Sequence, residues 1–233
     1  MTDLSTLRFF STPAHSCSYL EDRLATTLFV DPNADITPEL YLELSGIGFR
    51  RSGDYLYRPH CRGCQACIPV RIPVTLFTPR RSHKRLLKRN SDVVVTREPA
   101  RFHPEFYRLY ARYIENKHGD GDMFPPSEEQ FASFLMSDWS DTQFACFRLD
   151  GKLVAVAVLD QLSHGISAVY TFYEPTLPER SLGTLAVLWQ IELCKSLELP
   201  HVYLGYWIRD CQKMRYKDQF KPLEYFTDGH WNQ

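Results

Sequence analysis

The chain has no hydrophobic run long enough to cross a bilayer as a helix. Its longest is Leu153 to Leu159, against the roughly 20 apolar residues that a spanning helix needs. The start, Met1 to Ser18, is polar and broken by Pro13, so it carries no apolar secretory core. Charge of one sign is not in excess either, with 27 Lys and Arg against 28 Asp and Glu. There is no internal repeat and no low-complexity tract. These absences argue against a helical membrane protein, a solenoid and a disordered tail, and they predict a cytoplasmic protein with no membrane partner. In that compartment seven cysteines read as thiols or metal ligands, not as disulfides.

What is present is a core-forming composition, 44% hydrophobic and 14% aromatic over 233 residues. That length suits one large domain or two modest ones. The charge is unevenly spread. From Arg50 to Arg97 there are twelve Lys and Arg against two acids, Asp54 and Asp92, whereas residues 101–233 carry thirteen bases and eighteen acids. A basic segment joined to an acidic body points to a polyanionic partner, nucleic acid first. The division expected is a smaller N-terminal α+β domain, 1–100, and a larger domain, 101–233.

In the first part, Thr37-Pro-Glu39 starts a short helix, with Thr37 as N-cap and Pro38 in the first turn. Cys61-Arg-Gly-Cys64-Gln-Ala-Cys67 has a C-x-x-C-x-x-C spacing that can bring sulfurs to one ion. A structural zinc needs a fourth ligand from Cys17, His15 or His60, and the same spacing also opens ferredoxin iron–sulfur runs. Three reduced thiols fit the pattern as well. Residues 68–77 alternate with prolines and predict an edge strand. Arg80, Arg81, Lys84, Arg85, Lys88 and Arg89 then place six cations in ten residues on a short helix that Ser82 can cap. Surface helices ordinarily interleave opposite charges, and this one has none to interleave, which favours phosphate contacts.

In the second part, residues 102–118 and a helix opened by the capping box Ser127-Glu-Glu-Gln130 precede three strands, 143–149, 152–161 and 166–173. Asp150-Gly151 predicts a tight hairpin between the first two. A long helix over 181–197, a strand over 202–208, a short segment around Lys213 and a strand near 223–226 complete the chain. Cys146 and Cys194 read as core residues, while Cys211 is open to either reading. This order of elements resembles the acetyltransferase (GNAT) superfamily, so the fold class expected is α+β with a mixed sheet. Arg180-Ser-Leu-Gly183-Thr-Leu185 keeps only part of that superfamily's coenzyme A loop, because a bulky Leu185 hinders backbone approach to a pyrophosphate.

Five blocks then carry a more specific likeness: Pro13-Ala-His-Ser-Cys-Ser-Tyr-Leu20, Gly48-Phe-Arg-Arg-Ser-Gly53, Tyr57 to Arg71, Arg81-Ser-His-Lys-Arg85, and Tyr203-Leu-Gly-Tyr-Trp-Ile208 with Lys213-Met-Arg-Tyr-Lys217. In combination they closely resemble the bacterial aspartate/glutamate leucyltransferases, relatives of the eukaryotic arginyl-tRNA–protein transferases. The resemblance implies transfer of leucine from leucyl-tRNA to the α-amine of proteins beginning with Asp or Glu, which marks them for proteolysis. It implies tRNA, not DNA, as the polyanion, no organic cofactor, and zinc or an iron–sulfur cluster on Cys17, Cys61, Cys64 and Cys67. The eukaryotic relatives pair their cysteines differently from this chain.

An aminoacyl ester is already activated, so no covalent enzyme intermediate is required. The enzyme must hold amine and ester together, stabilise an oxyanion and accept one proton. The candidates for catalysis are Asp210 as proton acceptor, and around the oxyanion the backbone at Gly205 to Trp207, Tyr206 included, with Lys213 and Tyr216. Arg51 and Lys217 are candidates for the acidic acceptor side chain, and Trp207 and Met214, with Phe172 and Tyr206, for the leucine pocket. Capping, salt-bridge and core roles fit the same residues. Two other functions remain open from the residues alone: an acetyl-coenzyme A-dependent acetyltransferase, and a non-catalytic, metal-containing RNA-binding module.

Overall fold

The computed structural model describes residues 3–119, 121 and 123–233. Met1, Thr2, Asp120 and Asp122 lie outside them. The chain begins with β1 (Phe9–Ser11), a short hairpin of β2 (His15–Ser16) and β3 (Leu24–Ala25), and β4 (Thr27–Val30). Next come α1 (Pro38–Gly46), β5 (Arg50–Ser52), β6 (Tyr55–Pro59), β7 (Ile68–Pro73), α2 (Arg81–Arg89) and β8 (Val93–Pro99). The remainder is α3 (Pro104–Lys117), α4 (Glu128–Leu135), β9 (Thr142–Leu149), β10 (Lys152–Leu162), β11 (Gly165–Tyr173), α5 (Leu182–Ser196), β12 (His201–Trp207), β13 (Glu224–Thr227) and β14 (His230–Asn232). A 3-10 segment, Gln212–Phe220, joins β12 to β13.

Local chemistry sets several of these boundaries. Thr37 accepts from the Leu40 amide through its hydroxyl (3.2 Å) ahead of Pro38, as an N-cap should. Ser127 accepts from the Gln130 amide (3.0 Å), but the reciprocal bond of a capping box is not made. Gln130 Oε1 instead accepts from the Tyr110 hydroxyl. Asp150 and Gly151 both have positive φ, 48° and 78°, the conformation a two-residue hairpin demands. One expectation fails: α2 begins at Arg81, so Ser82 lies inside it and caps nothing.

Most strands join one mixed sheet of eight, in the order β14-β13-β7-β12-β11-β10-β9-β8. Within it β10 is buried along most of its length. Alternate residues feed two cores, as strand pleating requires. Ala155, Ala157, Leu159, Ile166 and Val202 pack under α5 and α2 on one face. Val156, Val158 and Phe172 pack under α3 and α4 on the other. A four-stranded sheet, β1-β4-β6-β5, and α1 lie on that second face, where Tyr203 and Leu162 join Leu44 and Leu56 in a third core.

Two features correct the reading of residues 1–100. Their strands β7 and β8 are both members of the large sheet, so that sheet runs across residue 100. Moreover, β7 is interior, between β12 and β13, where its prolines predicted an edge. The reason is local: β13 pairs with β7 only at Val70 and Arg71, which leaves Pro69 and Pro73 outside that ladder, so neither needs an amide hydrogen there.

Candidate active site

The two parallel strands at the middle of the large sheet pair only at Gly165–Ser167 against His201–Tyr203. Beyond that point β11 and β12 separate, and backbone groups that would have paired need other partners. Arg50 supplies them. It lies on β5, the edge strand of the small sheet, and its Nη1 donates to Tyr203 O (3.4 Å) while Nη2 donates to Ala168 O. One guanidinium thus bonds carbonyls of both strands inside the split. Gly205 makes room for it: the residue has φ +77°, and a Cβ there would come within 3.3 Å of Arg50 Nε. Arg50 is 8% exposed.

Lys217 enters the same place from the 3-10 segment. It is 4% exposed, its Nζ donates to Tyr206 O, and Met214 Sδ is 3.6 Å away. Burial, reinforced by the charge of Arg50, pushes its pKa down to about 7. Tyr216 beside it is 47% exposed, yet its hydroxyl is enclosed. Burial pushes that group up to about 12 and keeps it a donor at neutral pH, within electrostatic reach of Arg50 and Tyr173. Among the described residues neither Arg50 nor Lys217 forms an ion pair with a carboxylate. A buried, unpaired cation costs several kcal/mol, so Arg50, which keeps its charge, marks a place built to receive an anion.

The expected site residues divide on inspection. Lys217, Tyr216 and Met214 converge on the split. Trp207 stands at the end of β12 against Tyr225 (ring centroids 5.5 Å apart), and its indole N–H is buried without an acceptor among the described residues. Tyr206 reaches the split by its backbone, the part expected at the oxyanion, while its hydroxyl donates to Gly48 O (2.8 Å). Asp210 and Lys213 are exposed on the turn, and Asp210 does not cap the following segment, whose N-cap position is Cys211. Phe172 is sealed in the core beneath α3 and α4.

Arg51 is a correction. Its guanidinium is fully buried against Asp160, with Nε to Oδ2 at 2.7 Å and Nη2 to Oδ1 at 2.9 Å. Tyr41 and Thr142 donate to the same carboxylate at 2.6 and 2.7 Å. It is a structural ion pair between the two sheets, unavailable to a substrate. Arg50 was the residue missed. Successive strand residues point to opposite sides, and Arg50-Arg51 gave no phase by which to choose between them.

The basic helix lies on the α5 face of the large sheet. His83 stacks between Phe77 and Phe220, at centroid distances of 5.8 and 5.5 Å, so α2 rests on the end of the 3-10 segment that carries Lys217. Arg80, Arg81, Lys84, Arg85, Lys88 and Arg89 are all exposed, and Arg89 donates to Glu179 O. Arg180 of the coenzyme A-like stretch is held by Asp92 (2.7 Å) and Arg89 O, and Leu185 is buried in the core. On the opposite side, Cys67 directly precedes Ile68, which pairs with Trp207. The thiols of Cys17, Cys61, Cys64 and Cys211 share its electrostatic neighbourhood and, after burial, help to push it up to about 12. No three His, Cys, Asp or Glu side chains among the described residues converge as a ready metal site. Cys146 and Cys194 are fully buried, as expected of core residues.

Known proteins match the chain over nearly its whole length. Residues 15–85 match the family model "Arginine-tRNA-protein transferase, N terminus", and residues 105–227 match the corresponding C terminus. An aspartate/glutamate leucyltransferase of Alcanivorax borkumensis is 67% identical over all of this chain and 96% of its own length. Those of Marinobacter nauticus and Pseudomonas fluorescens are each 55% identical, over 100% and 99% of this chain and 98% of their own lengths. Among solved structures, L-PGS from Bacillus licheniformis shares the fold alone, with a TM-score of 0.50 and 13% identity over 79% of this chain and 60% of that one. The chain therefore belongs to the aspartate/glutamate leucyltransferases of the arginine-tRNA–protein transferase family.

Proposed function

We propose that the protein moves leucine from leucyl-tRNA to the N-terminal α-amine of proteins beginning with Asp or Glu, and so marks them for proteolysis in the cytoplasm. The observation that carries the reading is the buried guanidinium of Arg50 beside the buried amine of Lys217 in the split of the sheet, neither with a carboxylate partner among the described residues. Two substrates reach that split from opposite faces. Leucyl-tRNA lies along the α2 and α5 face, its phosphates on Arg80, Arg81, Lys84, Arg85 and Lys88, and its esterified end beside Trp207 and Met214. The acceptor enters from the small-sheet face, its acidic side chain on Arg50, whose planar fork suits a carboxylate.

The amine nitrogen attacks the ester carbonyl carbon, the bond from that carbon to the terminal ribose oxygen breaks, and a peptide bond forms. Tyr216 donates to the developing oxyanion. Lys217, its pKa lowered to about 7 so that the neutral amine is available near neutral pH, takes the amine's proton in place of the exposed Asp210 and returns it to the departing ribose oxygen. The strands from β8 to β13 with α3, α4 and α5 have the acetyltransferase-like arrangement, here with an aminoacyl ester as acyl donor. The four thiols Cys17, Cys61, Cys64 and Cys67 are a donor set suited to zinc or an iron–sulfur cluster. Such a centre would clamp the β2–β3 hairpin to the loop that enters β7, and no step of the transfer passes through it.

The test is incubation with charged leucyl-tRNA and peptides that begin with Asp, Glu, Lys or Arg, followed by mass spectrometry. One leucine is added to the Asp and Glu peptides only. Arg50→Met keeps the aliphatic stem and removes the fork, and it lowers kcat/KM for acidic acceptors by roughly 10- to 100-fold. An Arg50→Met enzyme with unchanged preference would refute the role of Arg50.

A further inference from the structure

The acid-bearing residue is only the first of an acceptor protein, and the chain behind it must leave the split by some route. The small sheet offers one. Its registers place Phe10 opposite Phe29, Phe29 opposite Tyr57, and Tyr57 opposite Arg50. Cross-strand partners share a face, so these four side chains form a row across the whole sheet that ends at the cation in the split. The row is closely spaced: Phe29 and Tyr57 are 6.0 Å apart between ring centroids, and Tyr57 and Tyr206 6.3 Å. At its far end Phe10 is 52% exposed, and Tyr55, two residues from Tyr57 on β6, is 53% exposed. With Phe29 and Pro32 they line an open groove of about 480 Å³. Exposed aromatic side chains gathered in a groove mark an interaction site.

We infer that this groove binds the acceptor polypeptide, holding an apolar or aromatic side chain a few residues behind the N-terminal Asp or Glu. The inference rests on the leucyl-transfer reading for the identity of its occupant. Two observations favour polypeptide over RNA. The polar groups lining the groove are Asp31 and Asn33, and Arg8, the cation at that place, is neutralised by Asp31 at 2.8 Å. Nucleic acid on an aromatic platform also needs cations along its backbone. Those cations lie on α2, across the large sheet. Distance sets the position read. From Arg50 to Phe10 is three strand spacings, about 14 Å, which an extended chain covers in four or five residues. The groove therefore senses about the fifth or sixth residue of the acceptor.

The experiment uses the full chain with Asp-initiated acceptors of two and eight residues, the longer carrying Phe at position five or six. Phe10→Ala/Tyr55→Ala removes two exposed side chains, so folding is not at stake. The variant should raise KM for the eight-residue acceptor about tenfold, while kcat, KM for the dipeptide and KM for leucyl-tRNA stay unchanged. Direct binding of the labelled eight-residue peptide, read by fluorescence anisotropy without tRNA, should weaken in parallel. Equal effects on both acceptors, or no effect on either, would overturn the inference. A change confined to leucyl-tRNA and its salt dependence would assign the groove to RNA instead. Absence of leucylation by the wild-type enzyme, with peptide binding still sensitive to the variant, would sink the transfer reading and leave the groove.

Discussion

At the scale of single residues, two neighbouring arginines have opposite fates because a strand alternates sides. Arg51 closes a buried pair with Asp160. Arg50 is held by carbonyls alone and left with unspent charge. Lys217 is the more consequential case, because its proton can come and go near neutrality. Between about pH 7 and its ordinary value of 10.5 the unfolded chain holds a proton that the folded chain has released. Stability should therefore rise with pH across that window, by at most about 1.4 kcal/mol per pH unit. Below it both states are protonated and the contribution is flat. Urea unfolding between about pH 6 and 9 checks this against Lys217→Met, which should lack the rise and be the more stable protein near pH 7. Parallel pH profiles would show that Lys217 keeps its ordinary affinity for protons. The sequence placed Lys217 at the site but could not show its burial, which depends on how the 3-10 segment folds under β12.

At the scale of elements, α2 was readable as a cationic helix, and what the fold added was its seat. Leu86 and Leu87 pack into the core beneath α5, and the His83 stack holds the helix against Phe220. Its outer cations consequently face the side of the sheet on which α5 begins. Reversing Lys84, Arg85 and Lys88 to Glu should weaken leucyl-tRNA binding at low salt. It should also flatten the dependence of log K on log salt, by about 0.7 to 0.9 for each phosphate that is no longer neutralised. Filter binding at several salt concentrations measures both, and an unaltered slope would take these residues off the tRNA. The strand β7 gives the opposite lesson. Its prolines spelled an edge, yet the short reach of β13 let it sit inside the sheet.

At the scale of the whole molecule, β7 ties the cysteine loop to the strand that ends at the split, so a clamp on those thiols would steady the site itself. Protein purified without oxygen should carry zinc or an iron–sulfur cluster, measured by elemental analysis. Cys64→Ser should lose it, with a melting temperature lower by several degrees and slower transfer. Metal-free protein of full activity would remove the clamp. The sequence alone determined the elements, their caps and turns, and the chemistry available in each block, because those depend on residues a few positions apart. Only the tertiary structure decided which arginine is free, that β7 and β8 join the large sheet, and that α2 and the small sheet lie on opposite faces of it. Those outcomes depend on strand phase and long-range pairing, and neighbouring residues in the chain do not encode either one.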